Sequence, residues 1–161
     1  MSKSNTIAIT RTGKIEESQL LKNKIKALAE EKKPLVQFSS FEKMEKLKAG
    51  IYKSDLENLK RYTGYTYDQL SNVLCVTKAT LLNKNKAVKK FTTSLGERII
   101  GLQEIYTLGY EVFGDENKFK KWMFLPNNAL DGKMPFEILD NQFGRDEVKK
   151  LIGRIAYGVY S

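Results

Sequence analysis

The sequence contains no histidine, one cysteine and three prolines. It also has no apolar run near the roughly 20 residues that a membrane-spanning helix needs. Without histidine the commonest general base is gone, and with it the usual Ser–His and Cys–His nucleophile pairs and most zinc sites. An enzyme would have to rely on carboxylates of split acidity, and no spacing here offers such a pair. We therefore expect no catalysis, no metal, no cofactor and no small-molecule substrate. The single Cys75 excludes an intramolecular disulfide framework and fits a reducing compartment, so a cytoplasmic protein is expected. Composition alone would make Cys75 a small buried hydrophobe. The opening "MSKSNTIAITRTGK" lacks the apolar stretch of a secretory signal, and no membrane association is expected.

What is present is positive charge, unevenly placed. The formal net charge is +9 over 161 residues. The first fifty residues hold 11 Lys and Arg against 6 Asp and Glu, and the next fifty hold 9 against 4. The remainder holds 8 against 9. A basic front and a near-neutral back suggest two jobs, the first with a polyanion.

Hydrophobic periodicity gives an all-α fold, with room for one short N-terminal β-hairpin pairing "TIAIT" (6–10) with "PLVQF" (34–38). Between them a charged helix carries Leu21, Ile25 and Leu28 on one stripe. "SSFEKMEKLKAGI" is a short helix closed by Gly50. Ser54 with Glu57, Thr66 with Gln69 and Ser94 with Glu97 have capping-box spacing, and Thr77 is a further N-cap. The helix after residue 94 presents Ile99, Leu102, Ile105, Tyr106, Leu108 and Phe113 as a wide apolar face. "ENKFKKWMF" is a helix that ends before Pro126, "PNNALDGK" is a tight loop with Asn127, Asn128 and Gly132 as turn formers, and Pro135 starts another helical segment. "GRDEVKKLIGRIAYG" is the final helix. Trp122, Phe124 and Leu130 are assigned to the core, and Arg145 with Asp146 and Glu147 to a helix start.

Three regions follow: a basic N-terminal region at 1–50 that could dimerise, a helix-turn-helix domain at 51–91, and a small helical domain at 92–161. The stretch 66–84 is two short helices joined by about three residues. Ser71 supplies the small residue that a steep crossing needs, and Val76 and Leu81 are placed to pack the second helix on the first. Cys75 stands where this motif usually has glycine. With "TKATLLNK" as recognition helix, Thr77, Lys78, Thr80, Asn83 and Lys84 are the groups offered to a major groove. Lys86, Lys89 and Lys90 extend a run of five lysines without an acid, suited to phosphates of operator DNA.

From about residue 53 the chain resembles the Xre/MbcA/ParS antitoxins, partners of RES-domain toxins. The match is carried by "GYTYDQLSNVLCVTKATLL", "GERI" and "EVFGDENKFKKWMFLPNNALDGKMPFEILDNQFGRDEVKKLIGRIAYGVYS". The family usually has serine at Gly96, glycine at Cys75 and more arginine near Asn83 and Lys84. The resemblance implies a type II toxin–antitoxin module: a helix-turn-helix for autoregulation, and a C-terminal domain that blocks a NAD-depleting RES toxin. A homodimer is expected, and no chemistry is required of this chain. It also gives the apolar tail a use. Arg154, Tyr157, Gly158, Val159, Tyr160 and the carboxylate-bearing Ser161 become toxin-binding residues, the tyrosines as anchors. The competing reading is a stand-alone helix-turn-helix regulator whose back half dimerises or senses a ligand.

Overall fold

The computed structural model describes residues 39–83 and 90–158. The possible hairpin, the helix of Leu21, Ile25 and Leu28, and the sites at Lys84, Lys86, Lys89, Val159, Tyr160 and Ser161 lie outside the described residues. Among the described residues the structure is all-α, without strands: α1 Ser40–Ala49, α2 Lys53–Thr63, α3 Tyr67–Val73, α4 Lys78–Leu82, α5 Thr93–Phe113, α6 Glu116–Trp122 and α7 Gln142–Ala156. Two 3-10 turns, Asn128–Leu130 and Pro135–Ile138, connect α6 to α7. No described helix is long and apolar enough to cross a membrane.

Local chemistry sets most boundaries. Ser39 and Glu42 form a capping box that starts α1, and Gly50 ends it at φ 106°. Thr66 and Gln69 cap α3 reciprocally, and Thr77 accepts from the Thr80 N–H to start α4. Two expected boxes are displaced. Helix α2 starts before Ser54, because Asp55 reaches back to the Tyr52 N–H at 2.8 Å. Helix α5 starts before Ser94, because the Thr92 hydroxyl accepts from the Leu95 N–H. In both cases an equally good polar side chain stands two residues upstream or one residue on, and sequence spacing does not rank them.

Helix α5 is the axis, with α1, α2, α6 and α7 packed on it. Ile99, Leu102, Ile105 and Tyr106 are buried, while Leu108 and Phe113 lie at the margin of the same cluster. That cluster runs from Leu56, Leu59, Leu70, Leu74 and Leu81 to Phe119, Met123, Leu139, Val148 and Ile152. Side chains from both sides of residue 91 therefore share one hydrophobic core. Gly96 explains its departure from serine: a Cβ there would lie 3.0 Å from Ile51 and 3.1 Å from Leu47, so glycine lets α1 and its exit strand of chain sit close on α5.

Aromatic packing holds the far end. Phe119 meets Tyr106, Tyr110 and Phe113 edge-on, and Trp122 stacks on Phe119 with centroids 5.6 Å apart. Trp122 and Leu130 are half-buried. Phe124, expected in the core, is 38% exposed, its ring edge-on to Tyr65 and tilted on Phe136. It follows the end of α6, where the chain turns toward Pro126 and lifts the ring to the surface.

Candidate functional site: the α3–α4 turn and the outer end of α7

Helices α3 and α4 are joined by residues 74–77. Leu74 is fully buried, and Leu81 is buried beneath α4. Val76 is half-buried against the core. The turn is tied by Cys75 N–H to Asn72 O at 3.1 Å and by Val76 N–H to Ser71 O at 3.1 Å. Ser71 turns its own hydroxyl back to Asp68 O at 2.7 Å.

Cys75 has φ 50°, the left-handed region that glycine adopts freely and other residues at a cost. This is the physical reason for glycine at this point of the motif. Cys75 is exposed rather than buried, because a residue at the apex of this turn faces outward. Its thiol lies 3.1 Å from Asp140 O, across the boundary between the turn and the segment that leads into α7.

Two further groups hold the motif in place. Lys53 donates to Leu81 O and pairs with Glu57 at 3.0 Å, while its ammonium lies 5.0 Å from the centre of the Tyr67 ring. The Tyr67 hydroxyl donates to Glu57. Partial burial works against ionisation of Glu57, but the Tyr67 and Lys53 hydrogen bonds outweigh it and hold the carboxyl below its usual range. From α5, Arg98 donates to Leu74 O at 2.8 Å.

The expected DNA-reading groups fall on one stretch. Thr77, Lys78 and Asn83 are exposed and Thr80 is half-buried. The Thr77 and Thr80 hydroxyls are 2.9 Å apart. Lys78 is ion-paired with Asp68 of α3 at 2.9 Å. Lys90 is exposed, with its methylenes beside Gly50.

The second group lies at the end of α7. Arg154, Tyr157 and Gly158 are exposed, and Gly158 has φ 68°. Arg154 makes no hydrogen bond or ion pair with another described residue. The opposite face of α7 is committed to the fold through Val148, Leu151 and Ile152.

Arg145 was expected at a polar helix start. It lies one turn inside α7, with 7% exposure, on the side facing α5. It donates to Leu139 O at 2.9 Å and to Gln142 Oε1 at 3.0 Å. Burial first, and the nearby Arg98 second, lower its affinity for a proton. Its role is to close the segment before α7, and only a long-range packing argument could have found it.

Comparison with known proteins bears on the second group. Residues 108–158 match the model of the antitoxin Xre/MbcA/ParS C-terminal toxin-binding domain. Over 119 residues the chain is 24% identical to an antitoxin Xre of Yersinia enterocolitica, covering 73% of this chain and 80% of that one. It is 34% identical over 73 residues to an antitoxin Xre of Photorhabdus laumondii, covering 45% and 49% of the two chains. An antitoxin Xre of Pseudomonas putida is 27% identical over 79 residues, and the match spans about half of each chain. The chain is thus similar to Xre antitoxins, and the stretch that resembles their C-terminal toxin-binding domain takes in α6, both 3-10 turns and α7.

Proposed function

We propose that this chain neutralises a RES-domain, NAD-depleting toxin by covering its active site with the segment from Arg154 to Ser161, and that it represses its own operon through the helix-turn-helix. The observation that carries the first part is the exposed end of α7, where Arg154 and Tyr157 project from a helix whose other face is buried. This end lies in the part of the chain that matches a toxin-binding domain. Arg154 has the charge and the planar donors to enter a cavity built for an anionic nucleotide. Tyr157 and Tyr160 supply apolar area with a polar tip.

Support for the second part comes from α3, the left-handed turn at Cys75 and α4, together with the lysines at 78, 84, 86, 89 and 90. The division of labour is then one of surfaces: 51–91 toward DNA, 92–161 toward the toxin. The chain acts as a cytoplasmic homodimer without chemistry of its own.

The test is to titrate the purified chain into the toxin produced from the adjoining gene while following NAD. NAD loss should stop at a fixed molar ratio, and the chain should shift a DNA fragment from its own promoter. Continued NAD loss in a stable complex would contradict active-site blockade, and absence of a promoter shift would contradict repression.

A further inference from the structure

Helix α7 carries a second feature that its buried face does not explain. Phe143, Glu147, Lys150, Arg154 and Tyr157 recur at helical spacing and are all exposed. The stripe has an aromatic ring at each end, 84% exposed at Phe143 and 87% at Tyr157. Fourteen residues at about 1.5 Å each separate them by about 21 Å. Between the rings Glu147 and Lys150 pair with each other at 2.7 Å, leaving a neutral strip with Arg154 near one end.

Beside this stripe stands Gly153, inside the helix. Glycine in a helix interior is destabilising relative to alanine. Neighbouring structure does not call for it: a Cβ at this position would meet nothing within 4 Å. Gly109 in α5 behaves otherwise: there the Phe119 ring occupies the place of a side chain. A helix glycine that its own fold leaves uncrowded is explained by close approach of another backbone.

We propose that the toxin lies along this outer face of α7, gripping Phe143 and Tyr157 and approaching closest at Gly153. The inference rests on the antitoxin reading and extends the contact about three turns beyond the tail. The toxin, rather than a second copy, is the occupant because the whole stripe lies within the match to a toxin-binding domain. It also includes Arg154 and Tyr157, the described residues of the proposed toxin contact.

Four variants separate the possibilities: Phe143→Ala, Gly153→Ala, Tyr157→Ala and a deletion of 159–161. Each is measured for melting temperature, for mass in solution alone, and for affinity to the toxin from the adjoining gene. Gly153→Ala should raise the melting temperature and lower toxin affinity at least tenfold. Phe143→Ala, on an exposed ring, should leave folding intact and weaken binding by a similar factor. A lowered melting temperature for Gly153→Ala would overturn the argument from glycine. Unchanged toxin affinity for the Phe143 and Gly153 variants, with inhibition lost on deleting 159–161, would overturn the helix face and leave the tail standing. Weakened binding in the face variants with a neutral deletion would support the face and overturn the tail. Variants that reduce only the mass of the chain alone would assign the face to a second copy. A wild-type chain that does not bind the toxin would overturn the antitoxin reading and this one together.

Discussion

Arg98, on α5, donates to the main-chain carbonyl of Leu74 at 2.8 Å and thereby ties the turn between α3 and α4 to the central helix. A hydrogen bond from a charged group to a carbonyl contributes about 1.5–3 kcal/mol. Arg98→Ala should lower stability by that amount and weaken promoter binding, since the turn sets the angle of α4. Chemical denaturation and a promoter shift on the same preparation check both. Lost stability with unchanged DNA affinity would mean that the turn holds its geometry without Arg98.

Cys75 occupies the left-handed region at φ 50°. Relief of that conformation should make Cys75→Gly more stable by about 1 kcal/mol, and a β-branched Cys75→Val should do the reverse. Thermal melts of the two variants decide the point. Loss of stability in Cys75→Gly would show that the thiol contact with Asp140 O outweighs the backbone cost.

Lys78, although exposed, is ion-paired with Asp68. An exposed pair of this kind is worth under about 1 kcal/mol, so a DNA contact can displace it. Asp68→Asn should raise affinity for promoter and unrelated DNA alike. Lys78→Ala should cost about 1–3 kcal/mol on the promoter if the lysine reads a base edge. Fluorescence anisotropy at several salt concentrations separates the two. Equal losses on all sequences for Lys78→Ala would make it a phosphate contact.

The tyrosine cluster predicts the alkaline limit. Burial pushes the hydroxyls of Tyr65, Tyr106 and Tyr110 well above the ordinary tyrosine range, and Tyr110 donates to Tyr62 O at 2.7 Å. Below about pH 10 these groups are neutral in both states. Above it the unfolded chain releases protons first, so stability falls as pH rises. The tyrosinate absorbance of these three buried rings should appear together with the loss of helical circular dichroism above about pH 10. Complete tyrosine ionisation with the helices intact would contradict the packing described for Tyr106.

Features set by neighbours in sequence were legible before the fold was known. The Thr66–Gln69 box, the Thr77 cap, the stop at Gly50 and the start at Pro135 are all local decisions. The buried stripe of α5 was also legible for Ile99, Leu102, Ile105 and Tyr106. The exposure of Cys75 was not, because its turn conformation depends on how α3 and α4 cross. Nor was the burial of Arg145, since the same residue would be solvated if α7 were rotated by half a turn. At the proposed toxin contact, Arg154 and Tyr157 could be put forward from their residue types, but the exposed stripe back to Phe143 needed the observed face of α7. The caps expected at Ser54 and Ser94 fall elsewhere because Asp55 and Thr92 satisfy the free N–H groups instead.

The proposed placement of the end of α7 and the tail in the toxin's NAD site makes a direct demand on the last five residues. Deleting 157–161 leaves Val148, Leu151 and Ile152 to hold α7 in the fold. Toxin NAD consumption and complex formation are then measured side by side for the full chain, the deletion and Arg154→Ala. Occupancy of the site predicts that inhibition falls much further than binding in both variants. Inhibition and binding that fall in strict proportion, or that do not change, would contradict it.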